Sequence, residues 1–189
     1  DKAFINNLDS LFVVEGDLGE GAPPDISGMI GQYAHGNEPA HHVPYMYAYA
    51  GAQYKTASWV RKLQERFYTD EPDGYCGNED CGQMSAWHVM SALGFYQVNP
   101  SNGVFVFGSP SFSKAKVNLS NGKTFTVIAK GNSDKNVYIK SAKLNGKAYQ
   151  NSYITYEDIM RGGTLEFVMS STPNKNFGKA KQHRPVSAE

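Results

Sequence analysis

The sequence predicts a mixed α and β fold, with a helical lobe over residues 1–98 and an antiparallel β lobe over residues 99–189. The prediction depends first on a change of composition near Pro100. Before it, Ala, Met, Tyr and His recur with the spacing of helices, and after it short runs of β-branched and aromatic residues are separated by Gly, Asn and Ser. It depends second on the Asn-Gly pairs that begin at Asn121 and Asn145, because Asn-Gly is a strong short-range signal for a hairpin. We therefore expect the second lobe to be a small antiparallel β-sandwich.

The first lobe contains three segments in which apolar residues have helical spacing. They are residues 45–50, 58–67 and 84–93. In the last segment Trp87, Met90 and Leu93 recur on one face, and Gly94 supplies a signal for the end of the helix. Because Trp87 lies on this apolar face, we predict that it is a core residue rather than a stacking surface for a ligand.

The second lobe contains five segments that alternate between apolar and polar residues, as half-buried strands do. They are residues 104–107, 114–119, 124–128, 137–144 and 164–169. Residues 154–160 are typical of one short helical turn, with Thr155 as its cap. The polar tail over residues 173–189 is expected to be loosely held.

Charge and hydropathy exclude two kinds of partner. The 189 residues include 18 basic and 18 acidic side chains, so the chain lacks the positive excess that holds a phosphate backbone, and we expect no nucleic acid partner. Its apolar stretches are interrupted every few residues, far short of the ~20 apolar residues that a membrane-spanning helix needs, so we expect no membrane span. The 40% of hydrophobic and 13% of aromatic residues are typical of a globular protein.

The start of the chain and its two cysteines carry weaker signals. The chain begins at Asp1 without Met, and residues 4–14 lack the basic start and unbroken apolar run of a signal peptide, so we expect that an upstream part has been removed. Cys76 and Cys81 have the spacing of neither a zinc ribbon nor a redox Cys-x-x-Cys pair. A disulfide across so short a loop is geometrically demanding, and two free thiols are the alternative.

Two loops of the first lobe, residues 32–42 and 73–83, are unusually rich in polar residues, and each precedes a predicted helix. Four of the five histidines lie in or near these loops: His35, His41, His42 and His88. Carboxylates and amides beside glycine turns suit a hard cation such as Ca²⁺, which takes about 6–8 oxygen ligands. Zinc fits less well, because neither His-x-x-x-His nor paired Cys-x-x-Cys spacing occurs.

The carboxylates of the second loop also have a purely structural explanation. Glu79 and Asp80 stand at the head of the helix predicted over residues 84–93, where carboxylates stabilise the helix dipole by ~0.3–1 kcal/mol. The spacing of the residues therefore does not by itself name a reaction.

Three strings of residues, taken together and in order, carry a resemblance to a known family. They are HGNEPAHH at 35–42, GNEDCGQMSAW at 77–87 and SALGFYQVNP at 91–100, and they resemble the C-terminal signatures of glycoside hydrolase family 92. Residues 162–167 are similar to the C-terminal β region of that family, so the resemblance covers nearly the whole chain. It implies an inverting, calcium-dependent exo-α-mannosidase. Its members have an N-terminal β-sandwich lobe and an (α/α) barrel, so residues 1–98 correspond to C-terminal helices of the barrel, and an upstream part of the same enzyme is the expected partner.

The resemblance also implies which residues form the site. Asp80 matches the carboxylate that acts as general base, and Asn78 stands where some members have a second Asp. Asn37 and Glu38 match the segment at the sugar and calcium site. The implied calcium ligands are Asn37, Glu38 and Asp80, and the implied substrate-binding residues are Glu38, His41, His42 and Glu79.

The implied activity needs more than this chain. Inverting hydrolysis uses an acid for the leaving oxygen and a base for water on the opposite face of the sugar, with the two carboxyl groups ~6.5–9.5 Å apart. The general acid of the family aligns upstream of Asp1, so we expect the chain alone to be inactive. The implied substrate is a mannose-containing oligosaccharide or glycoprotein glycan, such as N-glycan mannose, and the implied location is secreted or periplasmic.

Two alternatives stay open. A calcium-stabilised carbohydrate-binding module without activity would place its polar residues on the β lobe, which is rich in Lys and Asn but lacks a polar cluster like those of the two loops. A different sugar hydrolase with a helical barrel and a sandwich would be expected to supply its acid and base from differently spaced Glu residues. The string at 77–87 favours the mannosidase over both.

Overall fold

The computed structural model describes residues 1–15 and 26–186. The helices are α1 (Lys2–Val13), α2 (Met46–Tyr49), α3 (Gln53–Phe67), α4 (Gln83–Leu93) and α5 (Tyr156–Met160). The strands are β1 (Met29–Ile30), β2 (Tyr33–Ala34), β3 (Phe95–Asn99), β4 (Val104–Phe107), β5 (Lys114–Asn118), β6 (Thr124–Lys130), β7 (Tyr138–Leu144), β8 (Lys147–Tyr149), β9 (Tyr153–Thr155) and β10 (Gly163–Ser170). Short 3₁₀ turns include Glu38–Ala40, named the Glu38 turn, and Asp80–Gly82, named the Asp80 turn. None of the helices within the described ranges is both long enough and apolar enough to cross a membrane.

The helical lobe packs around a cluster of aromatic side chains. The three predicted helices are present as α2, α3 and α4, although α3 begins earlier than predicted, at Gln53. α4 ends at Gly94, whose φ of 103° is left-handed, and Trp87 within α4 is fully buried, as predicted. α1 adds a helix that was not predicted, and its Phe12 ring stacks on Trp59 with the ring centroids 4.2 Å apart. This contact fixes α1 against α3.

The β lobe contains a five-stranded sheet in the order β5-β6-β10-β7-β8 and a three-stranded sheet in the order β3-β4-β9. All five predicted strands are present, as β4, β5, β6, β7 and β10. The strand pairs are antiparallel as predicted, with one exception, because β10 pairs in parallel with β6 while it pairs antiparallel with β7. The exception is a necessity of topology. β6 and β7 run in opposite directions, so a strand inserted between them is parallel to one of them.

The short helical turn predicted near residue 154 is present in a shorter form. α5 begins at Tyr156, and the Thr155 hydroxyl accepts a hydrogen bond from the Asp158 N–H at 3.2 Å, so the predicted cap is confirmed. Ile154 belongs to β9 instead, where it pairs with Phe105 of β4.

The two hydrophobic clusters share strand β4. Phe107 belongs to the cluster of the β lobe, where its ring packs edge-on against Phe167 of β10 with the centroids 5.0 Å apart. Val106, its neighbour in sequence, is buried in the cluster of the helical lobe. Because successive side chains of a strand point to opposite faces, β4 contributes side chains to both clusters. The lobe boundary between residues 98 and 99 stays a prediction, and β3 crosses it.

The tail is held by specific contacts as far as residue 186. The Ser152 N–H donates to the His183 carbonyl oxygen at 2.8 Å, and the Arg184 guanidinium donates to the Asp1 carboxylate at 2.8 Å. The expectation of a loosely held tail is therefore wrong for its described part, because backbone and charged partners satisfy its polar groups. Residues 187–189 lie outside the described ranges.

Candidate active site

The fold brings the two polar loops together at two points. At the first point the backbones of Gly36 and Gly77 touch, and a Cβ atom added to Gly77 would lie 2.7 Å from the Gly36 carbonyl oxygen. At the second point the Gln83 amide nitrogen Nε2 lies 3.0 Å from His41 Nδ1. Segments that are distant in sequence are thus fixed side by side.

In sequence, the two candidate carboxylates, Glu38 and Asp80, lie between the contact residues of their loops, and each begins a 3₁₀ turn. Three successive residues of the Asp80 turn have positive φ angles, 45° at Asp80, 59° at Cys81 and 100° at Gly82. Such angles are uncommon outside Gly, Asn and Asp and persist where the surroundings impose them. The backbone is thus tightly curved at Asp80, and the side chain of Asp80 is exposed.

The Glu38 carboxylate has one oxygen that no donor among the described residues satisfies. Glu38 is half-buried, and its Oε1 atom is shielded from solvent without a hydrogen-bond partner. A buried carboxylate oxygen costs free energy unless a donor or a cation balances it. Asn37 and Asp80 are both exposed and offer one amide and one carboxylate.

These three residues fit part of a calcium shell of about 6–8 oxygen ligands. Within residues 1–15 and 26–186, no group of three or more His, Cys, Asp and Glu side chains lies close enough to hold a metal ion. Calcium binding by Asn37, Glu38 and Asp80 stays a prediction.

Glu79 is engaged by the first turn of α4. Its Oε1 atom accepts from the Ser85 N–H at 3.0 Å, and its Oε2 atom accepts from the Ser85 hydroxyl at 2.8 Å. These donors lower the pKa of the Glu79 carboxyl. The structural explanation for Glu79, a carboxylate at the head of a helix, therefore applies, and its role in substrate binding stays a prediction.

The two adjacent histidines have different surroundings. His41 is 1% exposed, and its Nε2–H donates to the His35 carbonyl oxygen at 3.0 Å. Since Gln83 donates to Nδ1, both ring nitrogens of His41 are engaged within the chain. His42 is exposed at the surface. Direct contact with sugar, predicted for both, therefore suits His42 better than His41.

His35 is fully buried within a chain of hydrogen bonds. The Met84 carbonyl oxygen can only accept, so the Tyr68 hydroxyl donates to it at 3.2 Å and accepts from His35 Nε2–H at 2.9 Å. His35 Nδ1 in turn accepts from the Tyr33 hydroxyl at 2.9 Å. Burial lowers the pKa of His35 to about 3, so the ring is neutral. This chain of hydrogen bonds joins the first loop to α4.

Both cysteines are free thiols, which selects one of the two alternatives left open by their spacing. Cys76 is half-buried, and burial raises the pKa of its thiol. Cys81 is exposed in the Asp80 turn.

A cleft of about 610 Å³ borders the candidate site without containing it. Its lining includes Tyr75, Ser85 and His88, and neither Glu38 nor Asp80 contributes to it. The candidate carboxylates therefore lie outside this cleft, on the two loops that meet beside it.

Comparison with known proteins decides the family. The sequence model of the glycosyl hydrolase family 92 catalytic domain matches residues 1–171. This chain belongs to glycoside hydrolase family 92. The resemblance carried by the three strings is thereby confirmed.

Solved family 92 structures are similar over nearly the whole chain. The α-mannosidase BT3965 from Bacteroides thetaiotaomicron is 45% identical, with a TM-score of 0.91, over 98% of this chain and 24% of its own. Its complex with mannoimidazole gives a TM-score of 0.93 at 44% identity. The inverting mannosidase BT2199 from the same organism is 37% identical, with a TM-score of 0.85, over 98% of this chain and 26% of its own. The mixed fold with antiparallel sheets thus matches the C-terminal region of family 92.

A curated relative is also similar. An uncharacterized secreted glycosidase from Arthroderma benhamiae is 33% identical over 155 residues, which is 80% of this chain and 20% of that protein. The chain therefore spans about a fifth to a quarter of the length of these family 92 relatives. Its assignment to barrel helices stays a prediction.

Two polar residues that join the loops of this family 92 chain could not be predicted from the sequence. Gln83 and Tyr68 were not singled out, although the first lies in a polar loop and the second directly follows α3. The only local signal for Gln83 is its position three residues after Asp80, where a 3₁₀ turn places its N–H against the Asp80 carbonyl oxygen. Asn78 is exposed in the same loop, and its role beside the base stays a prediction.

Proposed function

We propose that this chain is the C-terminal part of an inverting, calcium-dependent exo-α-mannosidase. The proposed substrate is α-linked mannose at the non-reducing ends of oligosaccharides or glycoprotein glycans, such as N-glycan mannose. The observation that carries the proposal is the meeting of two loops of a family 92 chain, each with a candidate carboxylate at the start of a turn. The solved relatives described as mannosidases support the substrate class, and the relative described as a secreted glycosidase supports a secreted or periplasmic location.

Asp80 is proposed as the general base. Its exposed carboxylate accepts a proton from a water molecule as this water attacks the anomeric carbon on the face opposite the leaving oxygen. One displacement at that carbon converts an α linkage into a β-hydroxyl. Asn78, two residues earlier and also exposed, is proposed to orient the water through its amide. The acid that protonates the leaving oxygen is proposed to lie in an upstream part of the enzyme, ~6.5–9.5 Å from the base.

Asn37, Glu38 and Asp80 are proposed to hold calcium through amide and carboxylate oxygens. When bound, calcium would orient the 2- and 3-hydroxyls of mannose and favour distortion of the ring toward the oxocarbenium-like transition state. The shielded Oε1 atom of Glu38 supports this role, because a cation would satisfy it. His42 and Glu79 are proposed to add hydrogen bonds to sugar hydroxyls.

The product anomer and the metal requirement test the proposal. The full-length enzyme is expected to release β-mannose first from an aryl α-mannoside, as followed by NMR during early turnover. It is expected to lose turnover in excess chelator and to regain it when Ca²⁺ is restored. Initial release of α-mannose would contradict inversion, and full activity in chelator with no metal found by elemental analysis would contradict the calcium role. Sugar binding without hydrolysis would favour a non-catalytic carbohydrate-binding module.

A further inference from the structure

The residues that end the two turns are hydrogen-bonded to each other. His41 ends the Glu38 turn, and its N–H donates to the Glu38 carbonyl oxygen at 3.0 Å. Gln83 ends the Asp80 turn in the same way, with its N–H donating to the Asp80 carbonyl oxygen. The side chains of these two end residues meet at 3.0 Å. Each candidate carboxylate is therefore three residues from one shared hydrogen bond.

A second contact makes this link stiff. The Trp87 indole N–H donates to the His41 carbonyl oxygen at 3.0 Å. Trp87 lies four residues after Gln83, on the same face of α4. α4 thus holds His41 at two places, the ring and the main chain, so His41 cannot rotate relative to the helix without losing one of them.

The direction of the shared hydrogen bond is fixed by its neighbours. The His35 carbonyl oxygen can only accept, so His41 carries its proton on Nε2, and its Nδ1 atom accepts from the Gln83 amide. The same Gln83 Nε2 atom also donates to the Tyr96 hydroxyl oxygen at 3.0 Å, so both N–H bonds of the amide are engaged. All four polar groups of His41, two in the ring and two in the main chain, are therefore paired.

We infer that His41 and Gln83 are positioning residues, and that their side-chain hydrogen bond holds the Glu38 turn and the Asp80 turn at a fixed separation. The inference rests on the proposed function, in which both carboxylates serve one sugar. It replaces direct sugar binding by His41 with an indirect role, because the ring is 1% exposed and has no unpaired atom. Small displacements of reacting groups lower rates steeply, about 10²-fold for 1 Å, so this bond influences turnover without touching substrate.

The first test compares the two partners of the Gln83 amide in the full-length enzyme. Gln83→Met keeps the length of the side chain and removes the hydrogen bond to His41. Tyr96→Phe removes the other partner of the same amide and leaves the bond to His41, so it is the matched control. We expect Gln83→Met to lower kcat and to weaken calcium binding, measured by calorimetry, by about 10- to 100-fold. Tyr96→Phe should stay within about threefold of wild type in both, and the two variants should unfold within a few degrees of each other.

A second pair of variants separates the two ring nitrogens of His41. His41→Asn retains an acceptor near the position of Nδ1, and His41→Gln retains a donor near the position of Nε2. If the bond to Gln83 sets the site, His41→Asn retains more kcat and tighter calcium binding than His41→Gln. The reverse order, or a Gln83→Met enzyme that behaves like Tyr96→Phe, would overturn the inference. Wild-type enzyme without mannosidase activity or calcium binding would instead refute the proposed function.

Discussion

Both the backbone conformation and the carboxylate of Asp80 bear on its proposed role as general base. Its φ of 45° lies in the left-handed region, which Asn tolerates as well as Asp does, so Asp80→Asn preserves the turn and removes the basic group. In the full-length enzyme we expect kcat to fall by ~10²–10⁴-fold with little change in KM, because an amide cannot accept the proton from water. Steady-state kinetics on an aryl α-mannoside measure this. Asp73→Asn, an exposed acid of the same loop, is the control, and a near-normal kcat for Asp80→Asn would remove Asp80 from the mechanism.

His35 makes the stability of the chain depend on pH. Burial lowers its pKa to about 3 in the folded chain, whereas in the unfolded chain it titrates near ~6.5. Between these values the unfolded state binds a proton that the folded state does not, so stability falls as the pH falls from ~6.5 to ~3, by roughly 1 kcal/mol per pH unit. Urea unfolding at several pH values tests this. His35→Gln should flatten the pH dependence relative to the wild-type chain, and a variant with the wild-type slope would contradict the assignment.

At the scale of elements, the contact between the two loops requires glycine at residue 77, both for its positive φ and for its close approach to the Gly36 backbone. Gly77 and Gly122 have the same φ of 78°, but a Cβ at Gly77 would meet the Gly36 backbone, and one at Gly122 would meet nothing within 4 Å. Gly122→Ala thus measures the conformational cost alone, roughly 1–2 kcal/mol. We expect Gly77→Ala to lower the free energy of unfolding by at least ~1 kcal/mol more, because the loops must separate. Equal losses in the free energy of unfolding, measured with urea, would mean that the loops can separate without a measurable cost.

The elements differ in how far sequence alone could predict them. α4 and β6 could be predicted, because their apolar periodicity and the glycine after α4 are local signals. The parallel pairing of β10 with β6 could not, because it depends on where a late strand inserts into a sheet already defined. The two loops and their carboxylates could be singled out by composition. The hydrogen bond between His41 and Gln83 could not, because it depends on how α4 packs against the first loop. The order of the tail likewise depends on partners such as Asp1, which its polar composition does not reveal.

For the whole molecule, the expected result is that this chain alone does not hydrolyse α-mannosides, even when folded. It carries the proposed base and calcium ligands, while the acid and the rest of the sugar pocket are proposed to lie upstream. Assays with an aryl α-mannoside and with mannobioses, run beside the full-length enzyme, measure this. Turnover within tenfold of the full-length rate would mean that the general acid has been misplaced.

The position of β4 between two hydrophobic clusters has a mechanical consequence. Val106 and Phe107 are adjacent in sequence and buried on opposite faces of β4. A bend of β4 that exposes one of these side chains would therefore displace the other from its own cluster. A hinge between the lobes would have to pass through this strand, and its cost would be the exposure of both interiors at once. We therefore expect the two lobes to unfold together in a single cooperative transition.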